Sequence, residues 1–188
     1  MIRIATTLAA TASATLAATL PARADPLRIE AVMSPKEQIQ LNFQDGTRHF
    51  VLTVRREGQA TGEWPLSGAA VTEYGMHDIV PGVGGDPLGY RVFAAANGDI
   101  AYLRWRVRAI FIPGANGQPQ LLDKGVWEVV GGTGGLANLG GAGTMHIRAV
   151  SPTDRRFILQ GEVTRRRWTT CRNCAAERGS GCREPLRE

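Results

Sequence analysis

The segment Ile100–Ile112 alternates apolar with other side chains along most of its length, and this pattern constrains the fold most. Leu103, Trp105 and Val107 are among the apolar residues, and an arginine follows each of them. A period of two places the two sets on opposite faces of a β-strand. We therefore predict a long strand whose apolar face packs inward. The residues on its other face are expected to be solvated, with an anion site as the alternative; they are Arg104, Arg106 and Arg108.

Seven further segments have strand character, and turn signals such as Gln44-Asp45-Gly46 and Asn97-Gly98 separate several of them. These segments are 36–43, 48–56, 70–79, 88–96, 121–130, 143–150 and 155–164. No segment between Asp25 and Thr164 predicts a helix of ten residues or more. The chain is therefore predicted to be all-β, with about eight strands in a single antiparallel up-and-down barrel. Closure is favoured over an open sheet because it removes exposed edges.

Two of these strands form a predicted hairpin around the turn at Asp45-Gly46. In the first strand Ile39, Leu41 and Phe43 share one face. In the second strand the residues that share a face are Phe50, Leu52 and Val54.

The first 24 residues have the pattern of a cleavable secretory leader. Met1-Ile2-Arg3 is a short basic start, and Ile4–Leu20 is an uncharged run of mostly small residues. Ala22 and Ala24 are the small residues before the predicted cleavage at Asp25. The apolar run is short of the roughly 20 strongly apolar residues of a membrane span. We predict a leader at 1–24 and a periplasmic or secreted product that does not span the membrane.

Charge is distributed unevenly along the rest of the chain. Between Asp25 and Thr164 there are 13 basic and 14 acidic residues, whereas 165–188 carries seven arginines and three glutamates. The basic character therefore belongs to a tail, which argues against nucleic-acid binding by the domain. We predict a barrel domain at 25–166 and a poorly ordered tail at 167–188, because the tail has few apolar residues.

The tail also holds all three cysteines of the chain, Cys171, Cys174 and Cys182. A zinc site needs a fourth ligand, and the tail has no histidine. In an oxidising compartment one disulfide and one leftover thiol are expected, and the sequence leaves the pairing open. The leftover thiol allows pairing between chains and hence a homo-oligomer. The basic tail is a further hypothesis for contact with an anionic envelope surface.

The stretch from Gly131 to Gly143 is the richest in glycine, with seven glycines in thirteen residues. Gly132–Ala137 matches the dinucleotide fingerprint G-x-G-x-x-A after an apolar strand. However, that site needs a helix after the glycines, and Asn138–Gly143 cannot propagate one. We therefore predict no nucleotide cofactor. The alternative is a glycine-rich crossover at one end of a barrel, with a short turn that carries Leu136 and Leu139 inward.

This crossover resembles the strand–GGTG–turn–GxG–strand segment of allene oxide cyclase-like and dirigent-like β-barrel proteins, which have a calycin-type architecture. Bacterial exported proteins are also similar in this segment. The residues that carry the resemblance are Trp127–Val130, Gly131–Gly134, Leu136-Ala137 and Gly141–Thr144. The glycines among them are Gly131, Gly132, Gly134, Gly141 and Gly143. The strong match covers about 20 residues. It implies a barrel with a mostly apolar cavity that confines a small apolar ligand or steers its cyclisation.

No catalytic residue follows from the resemblance, since the shared segment is the structural end of the barrel. Three polar residues are candidates for a ligand pocket. Glu73 is a candidate carboxylate, and His77 or Tyr90 a candidate hydrogen-bonding partner. The alternative is that all three face solvent.

Other common sites are not indicated. The histidines His49, His77 and His146 lack metal-ligand spacing, and the prediction is no metal. The chain has no G-x-S-x-G sequence and so no signature of a serine hydrolase.

Three functions remain open: a small-molecule-binding barrel, a cofactor-free cyclase or isomerase with an apolar substrate, and an envelope interaction protein that acts through its tail. The first two functions require a cavity inside the barrel, and the third does not. The cavity is absent if the interior is completely filled by Phe50, Leu52, Trp105, Trp127 and Phe157.

Overall fold

The computed structural model of the protein describes residues 24–114 and 117–165. The predicted leader, apart from Ala24, and the predicted tail with its three cysteines lie outside the described residues. The described part is built almost entirely from β-strands. They are β1 (Asp25–Asn42), β2 (Phe50–Gly62), β3 (Ala70–Val80), β4 (Gly84–Gly85), β5 (Leu88–Ala94), β6 (Ile100–Pro113), β7 (Pro119–Gly132), β8 (Leu139–Ala149) and β9 (Arg155–Arg165).

Eight of these strands form a closed antiparallel barrel, which confirms the predicted fold. Successive strands pair in chain order, except that β4 adds only a two-residue contact between β3 and β6. The first and last strands pair from Asp25 opposite Val163 to Met33 opposite Arg155, and this pairing closes the barrel. Eight strands leave an interior about wide enough for side chains to fill.

Side chains inside the barrel follow the period-two pattern of the strands. In β6 the buried residues are Ala101, Leu103, Trp105, Val107 and Ala109, and the arginines between them are exposed. The outward orientation predicted for these arginines is confirmed. On the outer surface, Arg104 pairs with Glu128, and Arg108 pairs with Asp86.

β1 is longer than the sequence predicted, and a bulge divides it into two halves. Its first half, missed in the sequence analysis, buries alternate residues from Leu27 to Met33. Between Pro35 and Glu37 the register with β2 shifts by one residue. Such a shift exchanges the faces of a strand. As a result Ile39 and Leu41 lie on the outside of the barrel, with 79% and 59% of their surface exposed.

One end of the barrel is closed by apolar side chains from two connections. Leu66 lies between β2 and β3, and it is fully buried. Leu136 lies in a single 3-10 turn, Gly134–Leu136, between β7 and β8, and it is buried together with Leu139. This agrees with the prediction of a short turn that carries both leucines inward. We call this end, where β1 begins, the closed end.

Two glycines of the crossover show why side chains are excluded there. Gly134 has a φ of +53°, and a Cβ at this position would collide with the Asp99 carboxylate. That carboxylate accepts a hydrogen bond from the Gly135 N–H at 2.9 Å and fixes the turn. A Cβ on Gly143 would collide with the Gln160 carbonyl of β9. Close approach of neighbouring backbones therefore explains part of the glycine content.

Candidate ligand-binding site

A row of three charged side chains crosses the interior of the barrel. Arg56 on β2 lies opposite Glu73 on β3, and Glu73 lies opposite Arg91 on β5. Each lies on the inward face of its strand, two residues from a buried apolar side chain; these neighbours are Val54, Val71 and Phe93, respectively. Their exposed fractions are 6%, 0% and 1%. Charged side chains are almost never buried to this degree unless they are paired.

The pairing within this charged row is direct. Nη1 of Arg56 donates to Oε2 of Glu73 at 3.1 Å, and Nη2 of Arg91 approaches Oε1 at 3.4 Å. One carboxylate thus faces two guanidinium groups, which leaves the row with a net positive charge. An excess buried charge is costly in a medium of low dielectric constant.

Arg91 is almost fully buried, and a thioether and two aromatic rings surround its guanidinium group. Its Nη1 is 2.9 Å from Sδ of Met145, and its guanidinium carbon lies 4.1 Å from the ring centroid of Phe157 and 5.3 Å from that of Trp105. Burial lowers the pKa of Arg91 to about 10, and the nearby Glu73 carboxylate opposes this effect. Arg91 is therefore still a cation at neutral pH.

His77 lies on β3 four residues beyond Glu73, on the same face. Burial, and after it the positive charges of Arg56, Arg155 and Arg91, lowers the pKa of His77 to about 3. The imidazole is therefore neutral at physiological pH. Its Nε2 lies 3.3 Å from Nη1 of Arg56. Because an arginine can only donate, Nε2 is the acceptor and Nδ1 carries the proton.

A glycine between these two residues leaves room for their polar atoms to converge. A Cβ placed on Gly75 would lie 3.1 Å from Nε2 of His77, 3.2 Å from Cζ2 of Trp105 and 3.5 Å from Oε1 of Glu73. Gly89, its partner on β5, has the same indole ring 2.9 Å from its Cβ position. The glycine pair therefore makes space for the Trp105 indole beside the charged row.

Two more ionisable groups lie nearer the end opposite the closed end. Asp123 on β7 is half-buried, and burial raises its pKa to about 6, although the positive charge of Arg155 opposes this shift. Arg155 begins β9, and its pKa is lowered first by burial and then by the charge of Arg56. We call this end the charged end: it comprises Arg56, Glu73, His77, Arg91, Asp123 and Arg155.

Four buried polar atoms of the charged end and of the neighbouring Trp105 have no hydrogen-bond partner among the described residues. Three are donors, namely Nε of Arg56, Nε of Arg91 and Nε1 of Trp105, and one is an acceptor, Oδ1 of Asp123. Buried polar atoms in proteins are nearly always hydrogen-bonded, so each unpaired atom calls for an explanation. Here the unpaired donors outnumber the acceptor, which is the pattern expected of a site for an acceptor-rich group.

The packing of the interior is uneven along the barrel axis. Trp105, Trp127 and Phe157 are fully buried and fill the middle, whereas Phe50 and Leu52 are half-buried at the charged end. Leu52 lies opposite His77, and Phe50 lies opposite Ile79. The middle is therefore packed, and apolar side chains reach solvent beside the polar groups only toward the charged end. The buried charged row thus crosses an interior that is otherwise lined mostly by apolar side chains.

A separate groove of about 300 Å³ lies on the outer surface. It crosses β6, β7 and β8 between the exposed side chains of Arg104, Arg106 and Glu128, over the small residues Ala142 and Gly143. It does not include any residue of the charged end.

The three residues predicted for a pocket are placed differently. Glu73 and His77 lie together at the charged end. Tyr90 lies on the outer surface opposite Tyr74 and is 48% exposed. The structure does not bring it to the other two, because Gly89 and Arg91 occupy the inward positions on either side.

Sequence reasoning missed four members of the charged end. A signal for two of them was present: Arg56 and Arg91 each stand where the strand alternation calls for an apolar residue. Of the other two, Arg155 is the first residue of β9, and Asp123 lies in the first part of β7, which shows no clear alternation of buried and exposed residues.

Within residues 24–114 and 117–165 no helix is long and apolar enough to cross a membrane. Among the same residues no three or more histidine, cysteine or acidic side chains form a group that fits a metal ion.

No protein-family model matches the chain, and the search of curated proteins gave no match. The solved structures that are similar to it include those of the pterocarpan synthase dirigent proteins GePTS1 and PsPTS1. Each has 13% sequence identity; the alignments cover 76% and 75% of this chain and 89% and 96% of the respective structure, with TM-scores of 0.45 and 0.46.

Proposed function

We propose that the protein is an exported barrel that binds a small molecule at the charged end of its interior. The observation that carries this proposal is the buried row of Arg56, Glu73 and Arg91, with unpaired donors next to half-buried apolar side chains. Binding sites for small molecules combine apolar walls with a few convergent polar groups. The charged end has both components.

A purely structural role explains this row less well. A buried set of ion pairs contributes little net stability, because desolvation offsets the attraction between the charges. The closed end of the same barrel is filled by Leu66, Leu136 and Leu139 instead. Apolar filling is thus compatible with the barrel, which favours a functional reason for the charges at the other end.

The strand boundaries support the part of the proposal that concerns export. β1 begins at Asp25, directly after the predicted cleavage position, and Ala24 is exposed and outside the strand. Removal of residues 1–24 would therefore leave every described strand intact.

Native mass spectrometry of the protein, purified from the periplasm or the culture medium, tests the proposal. We expect a copurifying small molecule in the wild type. The substitution Leu52→Trp places a larger side chain opposite His77 and should abolish the additional mass. Val51→Trp is the matched control, since Val51 is the neighbouring residue on the opposite face of β2, and it should leave the mass unchanged.

Two results would contradict the proposal. One is the absence of any bound molecule together with no binding of an apolar fluorophore. The other is an equal loss of the bound molecule in Leu52→Trp and Val51→Trp. The same spectra give the oligomeric mass, so they also test the predicted homo-oligomer.

A cyclase or isomerase is the second candidate, and one observation favours it. A fully buried carboxylate, Glu73, and a neutral imidazole, His77, converge around Gly75. Such a pair can position a reactive molecule and move a proton. The binder comes first because Glu73 is already engaged by two guanidinium groups.

Turnover of the copurified molecule distinguishes the two candidates. An isomerase would change its chromatographic retention without changing its mass, and Glu73→Gln would abolish the change while the variant stays folded by circular dichroism. A molecule recovered unaltered after long incubation with the wild type supports the binder. The third function, an envelope contact through the tail, concerns residues outside the described part and stays a prediction.

A further inference from the structure

The balance of charges at the charged end indicates what kind of molecule fits it. Within the buried row, the guanidinium groups of Arg56 and Arg91 face the single carboxylate of Glu73. At the start of β9, Arg155 has the carboxylates of Asp123 and Asp154 nearby. His77 adds no charge at neutral pH. The buried row therefore carries a net positive charge inside the barrel.

The geometry of the hydrogen bonds indicates the same chemistry. Glu73 uses one oxygen for each of Arg56 and Arg91, so Nε of both guanidinium groups remains without a partner. A guanidinium presents its N–H groups in a planar fork that suits a carboxylate or sulfonate oxygen pair. A neutral apolar molecule would leave these donors unpaired.

The surroundings of the charges are apolar on several strands. Ile79 on β3 and Ile147 on β8 are buried close to them, and Phe50 and Leu52 on β2 are half-buried. A small inorganic ion would leave these half-buried side chains in contact with water. An anion with an apolar body would cover them.

We infer that the molecule bound at the charged end is an amphiphilic monoanion. Its acidic group accepts a hydrogen bond from the unpaired Nε of Arg56 and is attracted by the charge of Arg155, and its apolar body covers Phe50 and Leu52. The terminal nitrogens of Arg155 themselves donate to the backbone carbonyls of Ser151, Pro152 and Asp154. This inference rests on the proposed function and makes it more specific. The proposed function requires only a small molecule, whereas the inference requires an acidic group on it.

Two fluorescent probes with the same aromatic body test the inference separately from the proposed function. Anilinonaphthalene sulfonate is an anion, and N-phenylnaphthylamine is its neutral counterpart. In fluorescence titrations of the full protein at neutral pH and low salt, we expect the sulfonate to bind about tenfold more tightly or better, which corresponds to one buried charge-assisted contact. Displacement of both probes by the copurified molecule should place them in the same site.

Arginine variants test whether the preference for the anionic probe arises inside the barrel. Arg155→Gln should reduce the affinity for the sulfonate about tenfold and change that for the neutral probe less than about twofold. Arg106→Gln is the matched control, because it removes one arginine from the outer face of β6, and it should change neither affinity. Arg56→Gln should act like Arg155→Gln if it remains folded by circular dichroism; Arg155 is only half-buried and carries the test if it does not.

A variant of the outer surface controls for binding elsewhere. Ile39→Ser with Leu41→Ser removes the exposed apolar face of β1, and it should leave both titrations unchanged. Equal affinities for the two probes in the wild type would overturn the inference and leave the proposed function standing. An equal effect of Arg106→Gln and Arg155→Gln would also overturn it. Failure of both probes to bind, or their loss in the Ile39/Leu41 variant, would contradict the proposed function itself.

Discussion

At the closed end of the barrel, Leu66 and Leu136 come from loops and bury apolar surface, whereas at the charged end Arg56 and Glu73 come from strands and bury charge. Both ends belong to the same eight strands, so the barrel geometry does not dictate the difference. Apolar burial stabilises a fold without any need for precise geometry. Buried charge stabilises it only when every partner is in place. The comparison is the reason why we assign a stabilising role to the closed end and propose recognition for the charged end.

The largest expected effect comes from the buried carboxylate. Glu73→Gln leaves two buried guanidinium groups without a negative partner, and it should lower the free energy of unfolding by about 3–5 kcal/mol. Glu128→Gln is the matched control, because it breaks an exposed Arg–Glu pair, and it should cost less than about 1 kcal/mol. Urea denaturation measures both. Similar losses in the two variants would show that the buried ion pairs of Glu73 contribute no more to stability than an exposed ion pair does.

At the closed end, the free energy of unfolding should depend on the volume of the buried apolar side chains. Leu66→Ala creates a cavity among fully buried side chains and should cost about 2–4 kcal/mol. Leu41→Ala, at a position that is mostly exposed, should cost less than about 0.5 kcal/mol. We expect Leu66→Ala to leave the affinities for both fluorescent probes unchanged. A large loss of probe binding would mean that the two ends are coupled.

His77 should make the charged end sensitive to acid. Its pKa is lowered from 6.5 to about 3 in the folded protein, so the unfolded chain takes up the proton first. This contribution to stability is fully present above pH 6.5 and is lost as the pH falls toward 3. Relative to His77→Gln, the wild type should lose about 2 kcal/mol between neutral pH and pH 4, after allowance for partial exposure. Urea denaturation across this range checks it, and parallel pH curves for the two proteins would contradict it.

Asp123 should have a smaller effect of the opposite sign. Its pKa is raised from 3.8 to about 6, so the folded protein takes up the proton first. Its favourable contribution is fully present below pH 3.8 and is lost as the pH rises through about 6. Relative to the wild type, Asp123→Asn should therefore gain about 1 kcal/mol between pH 4 and neutral pH. Asp86→Asn, on the exposed outer surface, is the control in the same denaturation series and should show no such gain.

The sequence predicted more of the closed end than of the charged end, and the reason is physical. The inward orientation of Leu136 and Leu139 could be predicted because they are apolar residues in a glycine-rich turn. Glu73 and His77 were candidates because they are polar residues on a strand, but their arginine partners lie on other strands. Alternation assigns a residue to one of two faces and does not say which residues of distant strands are opposite each other.

The strand pattern by itself determined an all-β chain, a set of eight strands and the outward orientation of Arg104, Arg106 and Arg108. These features depend on residues that are close in sequence, where a period of two is decisive. The register of β1 with β9 at the closure, the bulge that turns Ile39 outward and the charged row were decided only by the tertiary structure. Each depends on the register between strands, which sets the partners of every buried charge.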